Sequence, residues 1–139
     1  MGAAAIEFAL VFVIFFAVFY GVVSYSLPLL MLQSFNAATA EAVRQSVAIS
    51  PGIANYETVV KTQATSALTN QLSWIPTALN FNMGSDAKVT MTGGLLSVRI
   101  DYSKDKLTQV LPVLSLPGVG QVPNLPTFLS AEASLQLVP

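Results

Sequence analysis

Residues 2–23 read GAAAIEFALVFVIFFAVFYGVV. One carboxylate, Glu7, stands before an uncharged run, Phe8 to Val23, whose only interruptions are Tyr20 and Gly21. The run continues, slightly diluted, through Leu32, and the next charge is Glu41. As a helix, Phe8–Leu32 is about 37 Å long at ~1.5 Å per residue, enough to cross a hydrocarbon core of about 30 Å with some tilt. Strands rarely exceed about ten residues, so the length decides for helix. Pro28 predicts a kink or a loosened turn just before it, and Gly21, Ser24 and Ser26 lie in the segment where the helix is expected to soften.

Beyond Leu32 the character of the helix changes. Phe35, Ala38, Ala42, Val43 and Ile49 recur at near-helical spacing, while Glu41, Arg44 and Gln45 form a polar face. Pro51-Gly52 stops it. The reading is one long helix, apolar all round in its first half and amphipathic in its second. A second amphipathic helix follows. Tyr56, Val59, Val60, Ala64, Ala67, Leu68 and Leu72 fit the i, i+3, i+4, i+7 template, with Asn55 as a cap and Glu57–Lys61 as an i, i+4 pair. Trp74-Ile75-Pro76 ends it.

The period then switches to two. Val89 and Met91 alternate with Lys88, Thr90 and Thr92, and Gly93-Gly94 predicts a tight hairpin. Leu96, Val98, Ile100 and Tyr102 alternate with Ser97, Arg99, Asp101 and Ser103. A loop rich in Pro and Gly runs from Leu111 to Pro126, holding Pro112, Pro117, Pro123 and Pro126. A last strand alternates Leu129, Ala131, Ala133, Leu135 and Leu137 with polar residues. The fold class is α+β: a long N-terminal transmembrane-type helix, a packing helix and a small antiparallel sheet of about three strands. Two regions follow, 1–50 for the long helix and 51–139 for a small globular part.

Composition narrows the chemistry. The 139-residue chain is 53% hydrophobic and only 9% charged, where soluble domains are about 25% charged. A net charge of −1 leaves no electrostatic footprint for nucleic acid. With no cysteine and no histidine, thiol nucleophiles, disulfides, Cys/His metal sites and His-based acid/base pairs are excluded. No catalytic residue, metal or cofactor is expected. Asp86, Asp101, Asp105 and Glu132 match no calcium loop and read as solvated surface. Gly93-Gly94 and Gly118-Val119-Gly120 read as turns. Ser97, Ser103 and Ser130 have no activating partner. Trp74 and Tyr56 could form a carbohydrate or surface-adhesion patch, but are expected to close the small core.

Glu7 has two readings. It can complement the unpaired N–H groups at a helix start or lie at headgroup depth. The order Gly2, four small or apolar residues, Glu7 and an apolar helix instead resembles the processing site of type IV pilin-like proteins. Ile6-Glu7-Phe8-Ala9-Leu10 is similar to the core of TadE-like pseudopilins of tight-adherence (Tad, Flp) pili, and the later order of helix, strands, proline loop and strand is similar too. The resemblance implies cleavage by a prepilin peptidase between Gly2 and Ala3. It further implies anchoring in inner-membrane lipid with the C-terminal part in the periplasm, and packing against other pilin subunits. Leaders in the family are usually basic, and only Met1 and Gly2 precede this cut. Glu7 and Phe8 would then act in assembly and register, Glu7 pairing with the new ammonium on a neighbour's Ala3. Ala4, Ala5, Ala9, Ala17 and Gly21 would permit close helix packing, and Pro28 would supply the kink. Pilus assembly, surface adhesion or biofilm formation is the implied role. Other readings stay open. One is a TadF-like minor pilin or the membrane-proximal part of a TadG-like protein. Another is a single-pass anchored periplasmic binding domain that never assembles. Type II secretion pseudopilins usually place an aromatic residue after the cut glycine, where this chain has Ala3. Ala37, Thr39 and Ala40 also permit a signal-peptidase reading, though such apolar regions span about 7–15 residues.

Overall fold

The switch from an all-round apolar helix to a one-sided one divides the first element into a bare half and a packed half. In the computed structural model, which describes residues 2–116, 118 and 120–139, helix α1 runs from Gly2 to Val47 without interruption. Its buried stripe, Ser24, Pro28, Met31, Phe35, Ala38, Ala42 and Val43, repeats every three or four residues. Below Ser24 the side chains are mostly exposed. Pro28 is therefore part of the packed stripe, and the helix continues through it. Its missing N–H frees a carbonyl one turn earlier, where Ser24 Oγ donates to Gly21 O at 3.2 Å and Ser26 Oγ to Val23 O at 2.6 Å.

Helix α2, Tyr56–Gln71, lies against the upper half of α1 and buries Val60, Ala64, Ala67 and Leu68, as its spacing predicts. Gln63 Nε2 donates to Gln45 Oε1 at 2.9 Å across the two helices. Gln45 and Arg44 in turn hold Glu41 on α1, with Arg44 Nη2 at 2.6 Å from Glu41 Oε1. These donors, Arg44 first, lower the Glu41 carboxyl to about 2. Asn55 does not cap α2 with its side chain. It adopts a left-handed conformation, φ 56°, which asparagine tolerates well, and turns the chain into the helix. Among the described residues Glu57 and Lys61 form no ion pair, the usual outcome for two long, solvated side chains.

The main sheet has the order β1-β2-β5, all antiparallel. β1 is Ala87–Thr92, β2 is Leu95–Ser103 and β5 is Phe128–Gln136. β2 is central, and its alternation is legible residue by residue: Leu96, Val98, Ile100 and Tyr102 are fully buried. The other face carries Arg99, Asp101, Ser97, Ser130, Ser134 and Glu132 in one exposed polar network. Gly93 and Gly94 both have positive φ, +57° and +79°, the primed turn that a two-residue hairpin requires. A side chain on Gly94 would also collide with the backbone carbonyl of Val138.

The core joins α1, α2 and the sheet. Phe35 from α1 stacks with Phe81 and Tyr102 at ring-centroid distances of 5.6 and 6.0 Å. Tyr102 Oη donates to Leu79 O at 2.5 Å. Burial, with Asp86 adding to it, pushes the phenol up to about 12, so it stays a donor.

Three short elements do not follow from the sequence pattern: a 3₁₀ turn at Thr77–Leu79, α3 at Met83–Asp86 and α4 at Lys104–Thr108. The proline-rich stretch is also more than a loop. It holds β3, Leu114–Leu116, paired antiparallel with β4, Gly120–Val122. Pro117 and Val119, which the sequence places in this loop and its turn, lie outside the described residues, as does Met1. Two readings of burial are corrected. Asp86 is buried, because the short α3 aims it back at Asn82 N, 2.9 Å, and at Lys106 Nζ, 2.7 Å. Trp74 is 40% exposed. The turn after α2 puts Leu72 and Ile75 inward instead, and Tyr56 only edges the core.

Candidate assembly interface

Among the described residues, nothing in the chain covers the lower half of α1 before its upper end near Tyr20. Ile6, Leu10, Val11, Phe12, Val13, Ile14, Phe15, Val18 and Phe19 are all exposed, and Phe8 is 72% exposed. The most apolar stretch is wholly unburied, and α1 is long and apolar enough to cross a membrane. A core helix of a soluble protein would be mostly covered. A removable signal peptide is excluded on other grounds: a cut near Ala40 would take Met31, Phe35 and Ala38, all fully buried, out of the core.

Large and small side chains on this half follow parallel rows. Phe8, Phe12, Phe16 and Tyr20 stack in succession at 6.3, 6.3 and 6.0 Å between ring centroids. One residue behind them run Ala5, Ala9, Val13, Ala17 and Gly21. These are adjacent i±4 rows, a ridge of rings beside a shallow groove. Ala3, Ala4, Ala5 and Ala9 are exposed, whereas Ala17 and Gly21 are half-covered. A Cβ at Gly21 would meet nothing within 4 Å, so this glycine leaves room beside the helix.

Glu7 lies beyond the first turn of α1, which holds no acidic residue. The field of the helix terminus fades within that turn, so the terminus does not account for the acid. Among the described residues Glu7 has no hydrogen-bond or ion-pair partner, and its nearest neighbours in sequence, Ile6 and Phe8, are exposed apolar side chains. The structure thus brings Glu7 and Phe8 together with the small residues on one bare helix. Pro28 stands apart in the packed stripe.

Sequence reasoning missed a second feature. Tyr20 Oη donates to Pro112 O, and Tyr25 Oη accepts from Asn124 N at 2.7 Å. Through these bonds the β3–β4 ribbon docks on α1 at the upper end of its bare half. Two tyrosines interrupting an apolar run were the only signal, and their partners lie far away along the chain.

These features define a class: an α+β head built onto the upper half of a helix whose lower, apolar half is free to enter lipid. The family model described as TadE-like protein matches residues 2–44, nearly all of α1, so this segment is similar to that family. No curated protein and no solved structure matches the chain.

Proposed function

We propose that this chain is a structural minor pilin or pseudopilin of a bacterial tight-adherence pilus, without catalysis. The single observation that carries the reading is the bare lower half of α1, with Glu7 unpaired among the described residues, in the segment that matches the TadE-like family model. Lipid of the inner membrane covers this half first, with the head in the periplasm. A prepilin peptidase then cuts between Gly2 and Ala3, and helices of neighbouring pilin subunits replace the lipid. The ridge from Phe8 to Tyr20 fits the groove of a like helix, and the alanines let backbones approach. Glu7 pairs with the ammonium that cleavage creates on a neighbour's Ala3. The pair sets register more than it adds stability, since an unpaired buried charge costs about 3–5 kcal/mol. The assembled pilus serves surface attachment.

The absence of cysteine makes the test direct. Ala9→Cys, oxidised in the membranes of pilus-bearing cells, is expected to yield disulfide-linked complexes when Cys is placed at the matching position of a partner pilin helix. Recovery solely as an uncoupled membrane monomer, with sheared filaments free of the chain, contradicts the proposal and favours a plain anchored periplasmic domain.

A further inference from the structure

We propose that the β3–β4 ribbon is a second membrane contact, seated on the outer boundary of the bilayer that α1 crosses. The inference rests on the reading of α1 as a membrane span.

The ribbon's level is set by α1. A span needs about 20 residues. Begun at Ala3, it ends near Val22; begun at Phe8, it ends near Leu27. Tyr20 and Tyr25 bracket the first boundary and lie just inside the second, at the level where amphipathic aromatic side chains concentrate. Both hydroxyls are engaged by the ribbon segment, at Pro112 O and Asn124 N, and β4 touches α1 directly. The segment therefore sits where hydrocarbon gives way to headgroups.

Its composition suits that level. No charged residue lies between Lys106 and Glu132, although the chain elsewhere in the head carries charges on every strand and helix of the main fold. Val110 and Val113 are 46% and 37% exposed, and Leu111, Leu114 and Leu116 are half-buried. The pairing of β3 with β4 satisfies their facing backbone groups, and at headgroup level water reaches the two outer edges, which hydrocarbon would not satisfy. Lys104 lines a groove beside the ribbon with Val113, Gln121 and Pro123. A bilayer-seated ribbon also fixes the tilt and rotation of α1, because the two tyrosines, about 140° apart around the helix, hold the ribbon in one position on it.

Site-directed spin labelling of the full chain tests this in phosphatidylcholine–phosphatidylglycerol vesicles. The chain has no native cysteine, so Val113→Cys, Ser66→Cys on exposed α2 and Val13→Cys in the span each give one label. Collision with oxygen reports lipid, and collision with a polar nickel chelate reports water. At Val113 the nickel accessibility is expected to fall several-fold below that at Ser66, with oxygen accessibility equal or higher. Nickel accessibility at Val113 matching Ser66 overturns the proposal. So does protection from both reagents, which marks a protein contact. Val13 separates the two readings: water exposure there defeats the span itself, whereas lipid exposure at Val13 with water at Val113 defeats the ribbon contact alone.

Discussion

Phe35→Ala is expected to destabilise the head by about 3–5 kcal/mol, the range for emptying a buried aromatic site. Phe35 is fully buried and is the residue through which α1 enters the aromatic cluster with Phe81 and Tyr102. Little of the loss is recoverable by collapse, because α1 packs against β2, whose inward side chains Leu96, Val98 and Ile100 are already fully buried. Small domains have about 5–15 kcal/mol in total, so the variant keeps a marginal head at best. The measurement is thermal melting of the full chain in detergent micelles. Near-UV dichroism, which reports the packed aromatics, is expected to melt far earlier than in the parent. Far-UV helix signal from the lower half of α1 survives in micelles. Phe35→Leu, which keeps most of the apolar volume, falls between. A melting midpoint unchanged by Phe35→Ala would mean that α1 is not an integral part of the core.

Glu7→Gln and Glu7→Ala are expected to remove the chain from filaments while leaving it in the membrane. Insertion is not the obstacle, since an acid at the centre of a span costs about 2.5–3.5 kcal/mol and Glu7 stands near its end. Assembly is different. On the proposed pairing, each variant would leave a neighbour's ammonium buried without a counter-ion, at about 3–5 kcal/mol. At ~1.4 kcal/mol per tenfold, incorporation falls by about 100-fold or more. Quantifying the chain in the membrane and in sheared filaments separates the two steps. Equal incorporation of both variants would leave Glu7 without a role in assembly.

Much of this organisation is written in side-chain periodicity. The all-round apolar run, its change to a one-sided stripe (expected beyond Leu32, but already begun at Ser24), and the strict alternation from Leu96 to Tyr102 each follow from which faces meet water. Glu7 is legible for the same reason: a charge in an apolar run has no local explanation. What stayed hidden depends on tertiary partners. Asp86 reads as a surface acid because Lys106 is distant in sequence, and Trp74 reads as core because aromatic side chains usually are. Runs as short as β3 and β4, spaced by proline and glycine, carry no period at all. Their pairing, and their docking on Tyr20 and Tyr25, come from contacts across most of the chain. The ribbon could not be found before the helix was in place to receive it.

Zero-length carbodiimide coupling of isolated filaments, followed by mass spectrometry of the N-terminal peptides, tests the pairing at Glu7 itself. The reagent joins a carboxylate to an amine only where the two are in contact. Pairing gives a peptide beginning at Ala3 whose α-amine is amide-linked to Glu7 of a neighbouring subunit. Filaments in which Met1 and Gly2 remain on every copy, with Glu7 joined to no amine, contradict it.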